Sequence, residues 1–282
     1  MRVGLIGYPI KHSISPRFQQ AAFDAAGIAA RYEAWEVPPE RLGAVVDSLR
    51  APDALGANVT IPHKQAVCAF LDAIDPVAAA IGAVNTIVRL EDRLVGYNTD
   101  AIGFISSLRA DAGTELRGQR VAVIGAGGAA RAVVAAALGQ GAAAVVIAAR
   151  RVEPAEAILA DLAALNTRDS ATQAISLDDA ALLRAALGDA AILVNTTPVG
   201  MAHRADERDV PVSVTFLRAD ALVCDLIYNP PRTALLEAAA ARGARTLNGL
   251  PMLVYQGAAA WELWTKRPAP VALMRRAAEE AL

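Results

Sequence analysis

Four short polar segments interrupt an otherwise apolar N-terminal half. They are His12-Ser13-Ile14-Ser15-Pro16, Asn58-Val59-Thr60-Ile61-Pro62-His63-Lys64, Gly82-Ala83-Val84-Asn85-Thr86 and Gly96-Tyr97-Asn98-Thr99-Asp100. Each has an ordinary explanation when taken alone: Ser15 as a helix cap, Asn58 as a turn residue, Asn98-Thr99-Asp100 as a helix start. Taken together they gather hydroxyls, amides, one cation (Lys64) and one carboxylate (Asp100). That set suits a small polyhydroxylated anion.

A second chemical signal lies further on. Gly125-Ala126-Gly127-Gly128-Ala129-Ala130 follows the apolar run Val121-Ala122-Val123-Ile124 and opens an Ala-rich stretch. In a strand–turn–helix unit, Gly125 permits a tight turn and Gly127 lets backbone amides approach a pyrophosphate. Ala130 allows close packing of helix on strand. The helix start then supplies N–H donors and a positive dipole end. The second strand runs out into Ala149-Arg150-Arg151-Val152-Glu153-Pro154. Two arginines and no acid at that tip favour NADP over NAD, because Arg suits a 2′-phosphate and an acid suits a ribose 2′-hydroxyl.

The elements that must position these residues alternate between strand-like and helix-like patterns, as in an α/β protein with mostly parallel sheets. Strands are expected over 2–7, 31–37, 56–59, 120–124, 145–149, 192–195, 222–226 and 245–247. A hairpin joins 83–90 to 94–97. Helices are expected over 15–27, 39–50, 99–112 and 154–165, and two more, 251–265 and 270–282, close the chain. Ser15-Pro16 reads as a cap followed by a proline at the first helical position. Islands at strand ends converge on one crevice in such architecture, where ligands bind. The polar stretch 111–118, with two glycines, marks a domain boundary. The first domain is expected over 1–112, and the second over 113–247.

Composition narrows the function further. Of 282 residues, 55% are hydrophobic and 20% charged, which suits globular domains and not disorder. A net charge of −2 provides no field for a nucleic-acid backbone. Cys68, in a helical pattern, and Cys224, in a strand, read as two buried free thiols in a reducing, cytoplasmic setting. The interrupted apolar N-terminus does not resemble a secretory signal. Ala132–Ala149 lacks charge, but Gly139-Gln140-Gly141 breaks it into a helix and a buried strand, so no membrane span is expected. His12, His63 and His203 lack metal-ligand spacing, and no metal is expected. Trp261 and Trp264, three residues apart, read as core.

The four islands, the glycine turn, Asn195-Thr196-Thr197-Pro198-Val199-Gly200-Met201 and Gly249-Leu250-Pro251-Met252-Leu253-Val254-Tyr255-Gln256 occur in the order seen in the shikimate dehydrogenase family. The chain resembles that family over most of its length. The resemblance implies a two-domain α/β fold: an N-terminal substrate domain completed by C-terminal helices over 248–282, and a Rossmann-type, doubly wound NADP domain. It implies reversible, NADPH-dependent reduction of 3-dehydroshikimate to shikimate in chorismate and aromatic amino-acid biosynthesis. Lys64 and Asp100 would be the catalytic pair. Ser13 and Ser15 would hold the substrate carboxylate, and Asn58, Thr60, Asn85 and Gln256, with Tyr228 beside them, would contact the rest. The cofactor would meet Gly125, Ala126, Gly127, Gly128, Ala129, Arg150, the Thr196, Thr197, Pro198 and Met201 loop, Leu226 and Gly249, with Arg151 as a further candidate. The family's NADP element reads N-R-T-x-x-[RK]; here Ala149, Arg151 and Pro154 depart from it, and only Arg150 matches.

Two alternatives accompany this reading. A quinate or quinate/shikimate dehydrogenase would more often carry an acid at the second-strand tip and Thr at position 15, and neither occurs. A non-catalytic sensor of the same ligand would not need the intact Lys64 and Asp100. The expected state is a monomer or a homodimer.

Overall fold

The computed structural model describes residues 1–282, and the chain divides into two compact units, Met1–Gly103 with Leu253–Leu282 and Phe104–Met252. In the first, β1 (Arg2–Gly7) is buried along almost its whole length, as an interior strand covered on both faces must be. After α1 (Ser15–Ala25), β2 (Arg31–Glu36) pairs parallel on one side of β1. After α2 (Leu42–Asp47), β3 (Ala54–Val59) pairs parallel on the other. There follow the short β4 (Ala73–Ile74), α3 (Pro76–Ile81), and the antiparallel pair β5 (Thr86–Leu90) and β6 (Arg93–Tyr97), which leads into α4 (Asp100–Ala112). The sheet order is β2-β1-β3-β5-β6-β4. Because β5 alone runs backwards, its first residue lies at the same sheet edge as the last residues of β1, β3 and β6. All four polar islands are therefore anchored at one edge.

Three local expectations are corrected. Ser15 is the first helical residue of α1, not its cap; Ile14 occupies the cap position and no side chain caps the helix. The cap-like bond is made one step earlier, where Ser13 Oγ accepts from Ser15 N–H at 3.2 Å. The expected helix over 39–50 is broken into 3₁₀ turns at Pro39–Arg41 and Ser48–Arg50 around a six-residue α2, in keeping with Gly43 and two β-branched valines in its middle. Cys68 lies in a 3₁₀ turn and is only half-buried.

The second unit begins with β7 (Arg120–Ile124), α5 (Gly128–Gly139), β8 (Ala144–Ala149), α6 (Val152–Asp161), β9 (Ala171–Ser176) and α7 (Ala180–Asp189). It continues through β10 (Ile192–Asn195), β11 (Leu222–Asp225), α8 (Ala234–Ala240) and β12 (Arg245–Leu247). All six strands are parallel, in the order β12-β11-β10-β7-β8-β9. The chain winds outward from β7 in one direction and from β10 in the other, so the topological switch lies between these two strands. Ligands of doubly wound sheets bind at that point, outside the strand C-termini. The loops leaving β7 and β10 are the glycine turn and the Asn195–Met201 segment.

The last two helices, α9 (Leu250–Thr265) and α10 (Val271–Glu279), follow β12. Within the first unit α1 packs on α10. Trp261 of α9 is buried with its ring 5.9 Å from that of Phe23, and Trp264 donates through Nε1 to the Ile87 carbonyl at 2.9 Å. Burying each such aromatic contributes about 1.5–3 kcal/mol, which ties the C-terminal segment to the N-terminal sheet. No helix is long and apolar enough to cross a membrane.

Candidate active site

At the polar edge of the first unit, Lys64 Nζ donates to Asp100 Oδ2 at 2.6 Å, with both side chains largely withdrawn from solvent, 21% and 8% exposed. Asp100 Oδ1 accepts from Asn85 Nδ2 at 2.8 Å. One carboxylate thus has a cation on one oxygen and an amide on the other. Asn85 Nδ2 also faces Thr99 Oγ1 at 3.0 Å and Gln256 Oε1 of α9 at 3.3 Å. Asn85 Oδ1 accepts from Thr99 N–H at 2.7 Å and from Thr86 Oγ1 at 3.0 Å. The start of β5, the end of β6 and α9 are joined through one amide.

Asn58 belongs to the same network but faces inward. Its Oδ1 accepts from the buried Tyr32 hydroxyl at 2.8 Å, and its Nδ2 donates to the Asn85 carbonyl at 3.2 Å and to Thr86 Oγ1 at 3.1 Å. Both of its amide hydrogens are engaged within the network, and the residue is 5% exposed. In this geometry it also braces Asn85. Thr60 follows β3 and is half-buried, Ser13 is half-buried, and Ser15 is buried with a hydroxyl not used in capping. His63 is buried, and its Nε2 lies 2.6 Å from the Val37 carbonyl. Tyr32, Thr86 and Thr99 were not singled out from the sequence. Thr86 and Thr99 sat inside recognised islands, whereas Tyr32 carried no local signal.

In the second unit, Gly125 has φ +102°, a conformation that favours glycine. A Cβ there would meet Thr196 Oγ1 at 2.8 Å and Thr197 Cγ2 at 2.9 Å. The glycine turn and the loop after β10 are thus pressed together. Around Gly127 and Gly128 a Cβ would meet nothing within 4 Å, and no side chain caps α5 at Gly127. That is an open cradle whose first-turn N–H groups have no intrahelical partner. It fits a pyrophosphate. Thr196 Oγ1 donates to the Ile124 carbonyl at 2.7 Å and Thr197 Oγ1 to Asn195 Oδ1 at 2.7 Å, so these hydroxyls fix the loop. Pro198 and Met201 are exposed on that loop.

Arg150 and Arg151 are exposed between β8 and α6, Arg151 at the cap position of α6. Gly249 N–H donates to the Ile227 carbonyl at 2.9 Å, and any side chain at Gly249 would strike the Leu226 carbonyl, which holds these two segments in close register. Tyr228 is half-buried, and burial raises its phenol above the usual range. Cys224 and Cys68 are free thiols, and no cluster of three His, Cys, Asp or Glu side chains is present.

With this geometry established, three family models match the chain: the shikimate dehydrogenase substrate binding domain over residues 5–87, shikimate / quinate 5-dehydrogenase over 107–212, and the shikimate 5'-dehydrogenase C-terminal domain over 249–279. The chain belongs to the shikimate dehydrogenase family. It is 46% identical to a shikimate dehydrogenase (NADP(+)) of Symbiobacterium thermophilum, covering 99% of this chain and 94% of that one. Among solved structures it is similar to shikimate 5-dehydrogenase of Thermus thermophilus in complex with NADP(H) and shikimate, with TM-score 0.88, 35% identity and full coverage of both chains. Quinate dehydrogenase of Corynebacterium glutamicum in complex with NAD is also similar, with TM-score 0.88, 29% identity and 98% coverage of each. The two-unit α/β fold, with a doubly wound second unit, is that of the family.

Proposed function

We propose that the chain interconverts 3-dehydroshikimate and shikimate, with NADPH as reductant. The observation that carries this is the Lys64–Asp100 pair, held by Asn85 at the polar edge of the first unit. Reducing a ketone requires a hydride at carbon and a proton at oxygen; bound NADPH supplies the hydride. Lys64 has three donor hydrogens. One is committed to Asp100, which leaves others to meet the carbonyl oxygen as negative charge develops and to deliver the proton. Asp100, an acceptor on both oxygens, orients the ammonium. Ser13 and Ser15 hold the substrate carboxylate, and Asn58, Thr60, Asn85, Gln256 and Tyr228 meet the remaining polar groups.

The Gly125–Ala129 amides hold the pyrophosphate, Arg150 the 2′-phosphate with Arg151 beside it, and the Thr196–Met201 loop, Leu226 and Gly249 the rest. The two free thiols suit the cytoplasm, and a monomer or a homodimer fits this reading. The test follows loss of NADPH absorbance with 3-dehydroshikimate, then the reverse reaction with shikimate and with quinate. Faster oxidation of quinate with NAD than of shikimate with NADP would overturn the assignment.

A further inference from the structure

Asp225 ends β11 and is fully buried. Its carboxylate accepts three hydrogen bonds: from Asn195 Nδ2 at 3.0 Å and Ile227 N–H at 3.2 Å on Oδ1, and from Thr233 Oγ1 at 2.7 Å on Oδ2. None of these donors is a cation. A buried carboxylate without a counter-ion is costly, and burial pushes its carboxyl above the usual range despite the three donors. An apolar side chain would end the strand at no such cost, so the hydrogen bonds themselves require an explanation.

Two of the three donors, Asn195 and Ile227, lead to a segment that borders the glycine cradle or carries an assigned ligand contact. Asn195 Oδ1 accepts from Thr197 N–H at 3.0 Å and from Thr197 Oγ1 at 2.7 Å. An ionised carboxylate can only accept, so Asp225 favours the orientation in which Asn195 turns its NH₂ toward β11 and its oxygen toward the loop. The Thr197 N–H, which can only donate, and the Val199 carbonyl, 3.5 Å from Asn195 Nδ2, select the same orientation, and Asp225 makes the strongest contact on the NH₂ side. The bond from Ile227 fixes the turn between Leu226 and Tyr228. Thr233 in turn accepts from Leu236 N–H at 3.4 Å and so sets the start of α8.

We infer that Asp225 is a positioning residue for NADP binding, acting through Asn195 on the loop that packs under Gly125. The inference rests on the reading that this unit binds NADP. The experiment is a fluorescence titration with NADPH, with thermal unfolding alongside, of wild type, Asp225→Ala, Asp225→Asn, Asn195→Ala and the double alanine variant. Asp225→Ala should weaken NADPH binding about ten- to hundredfold, the usual consequence of leaving buried polar groups unpaired. Asp225→Asn keeps one oxygen for Asn195 and should lose less. Asn195→Ala should match Asp225→Ala, and the double variant should lose under about twofold more, because both act through one path. NADPH affinity within twofold of wild type in the folded variants, or additive losses, would overturn the inference. Failure of both Asp225 variants to fold would do the same, since it makes the residue scaffold only. A wild type that does not bind NADPH would instead defeat the cofactor reading beneath it.

Discussion

Replacing Lys64 by Ala separates two effects that the Lys64–Asp100 pair combines. The first is catalytic: without a positioned proton donor, kcat should fall roughly 10²–10⁴-fold, or about 2.7–5.5 kcal/mol of barrier, while the KM for 3-dehydroshikimate changes little. The second is structural. Asp100, 8% exposed with Lys64 in place, would keep Asn85 on Oδ1 but lose its 2.6 Å partner on Oδ2. Breaking a fully buried pair costs about 3–5 kcal/mol. Lys64 is 21% exposed and water can enter where it stood, so about 1–3 kcal/mol applies, or roughly 2–6 °C in Tm for a protein of this size. Adding Asp100→Asn removes the stranded charge, so the double variant should regain most of the Tm and none of the kcat. The assays are steady-state NADPH oxidation and calorimetry on wild type, Lys64→Ala and the double variant. A Lys64→Ala enzyme within a few-fold of wild-type kcat, or a double variant that recovers turnover, would refute the reasoning.

Three further outcomes are expected. Ser13→Ala and Ser15→Ala should raise KM for 3-dehydroshikimate with kcat nearly unchanged, because the lost binding is uniform between ground and transition state; Tm should hold for Ser15→Ala, whose hydroxyl caps nothing, and a kcat loss at constant KM would remove the carboxylate role. Arg150→Ala should lower kcat/KM for NADPH by roughly 10–150-fold and leave NADH use almost unchanged, measured beside Arg151→Ala; a wild type that prefers NADH would contradict it. Burial raises both thiols, so little thiolate exists at neutral pH. A disulfide reagent should label Cys68 slowly and Cys224 only on unfolding, and rapid labelling of two thiols in the native state would contradict the packing.

The strands were legible where their patterns are strong: 2–7, 120–124 and 192–195 read from the sequence as they stand in the fold. Apolar runs bounded by turn residues leave little choice there. Local conflict was less legible. Residues 39–50 have a helical hydrophobic pattern, yet the segment breaks into short turns around α2. Asp75-Pro76 and Gly82 bracket α3 with a side-chain cap at 2.9 Å and a left-handed end at φ +70°. Those residues mark a helix by the ordinary rules, but only six residues lie between them, too few for a periodic signal.

The polar site was legible as islands and not as a network, and the reason is topological. Which amide faces which acceptor depends on strand direction. Asn85 reaches Asp100 because β5 runs against β3 and β6, which brings its first residue to the edge where the other strands end. Tyr32 supports Asn58 across the parallel sheet, from a strand whose alternation reads as ordinary packing. A sequence reading assigns such buried amides to the ligand because polar residues at strand ends usually meet one. The geometry shows a bracing role beside that one. Asn58, Thr86 and Thr99 hold Asn85 in place, and Asn85 holds Asp100, so that Lys64 remains the partly exposed cation at the end of the chain of hydrogen bonds.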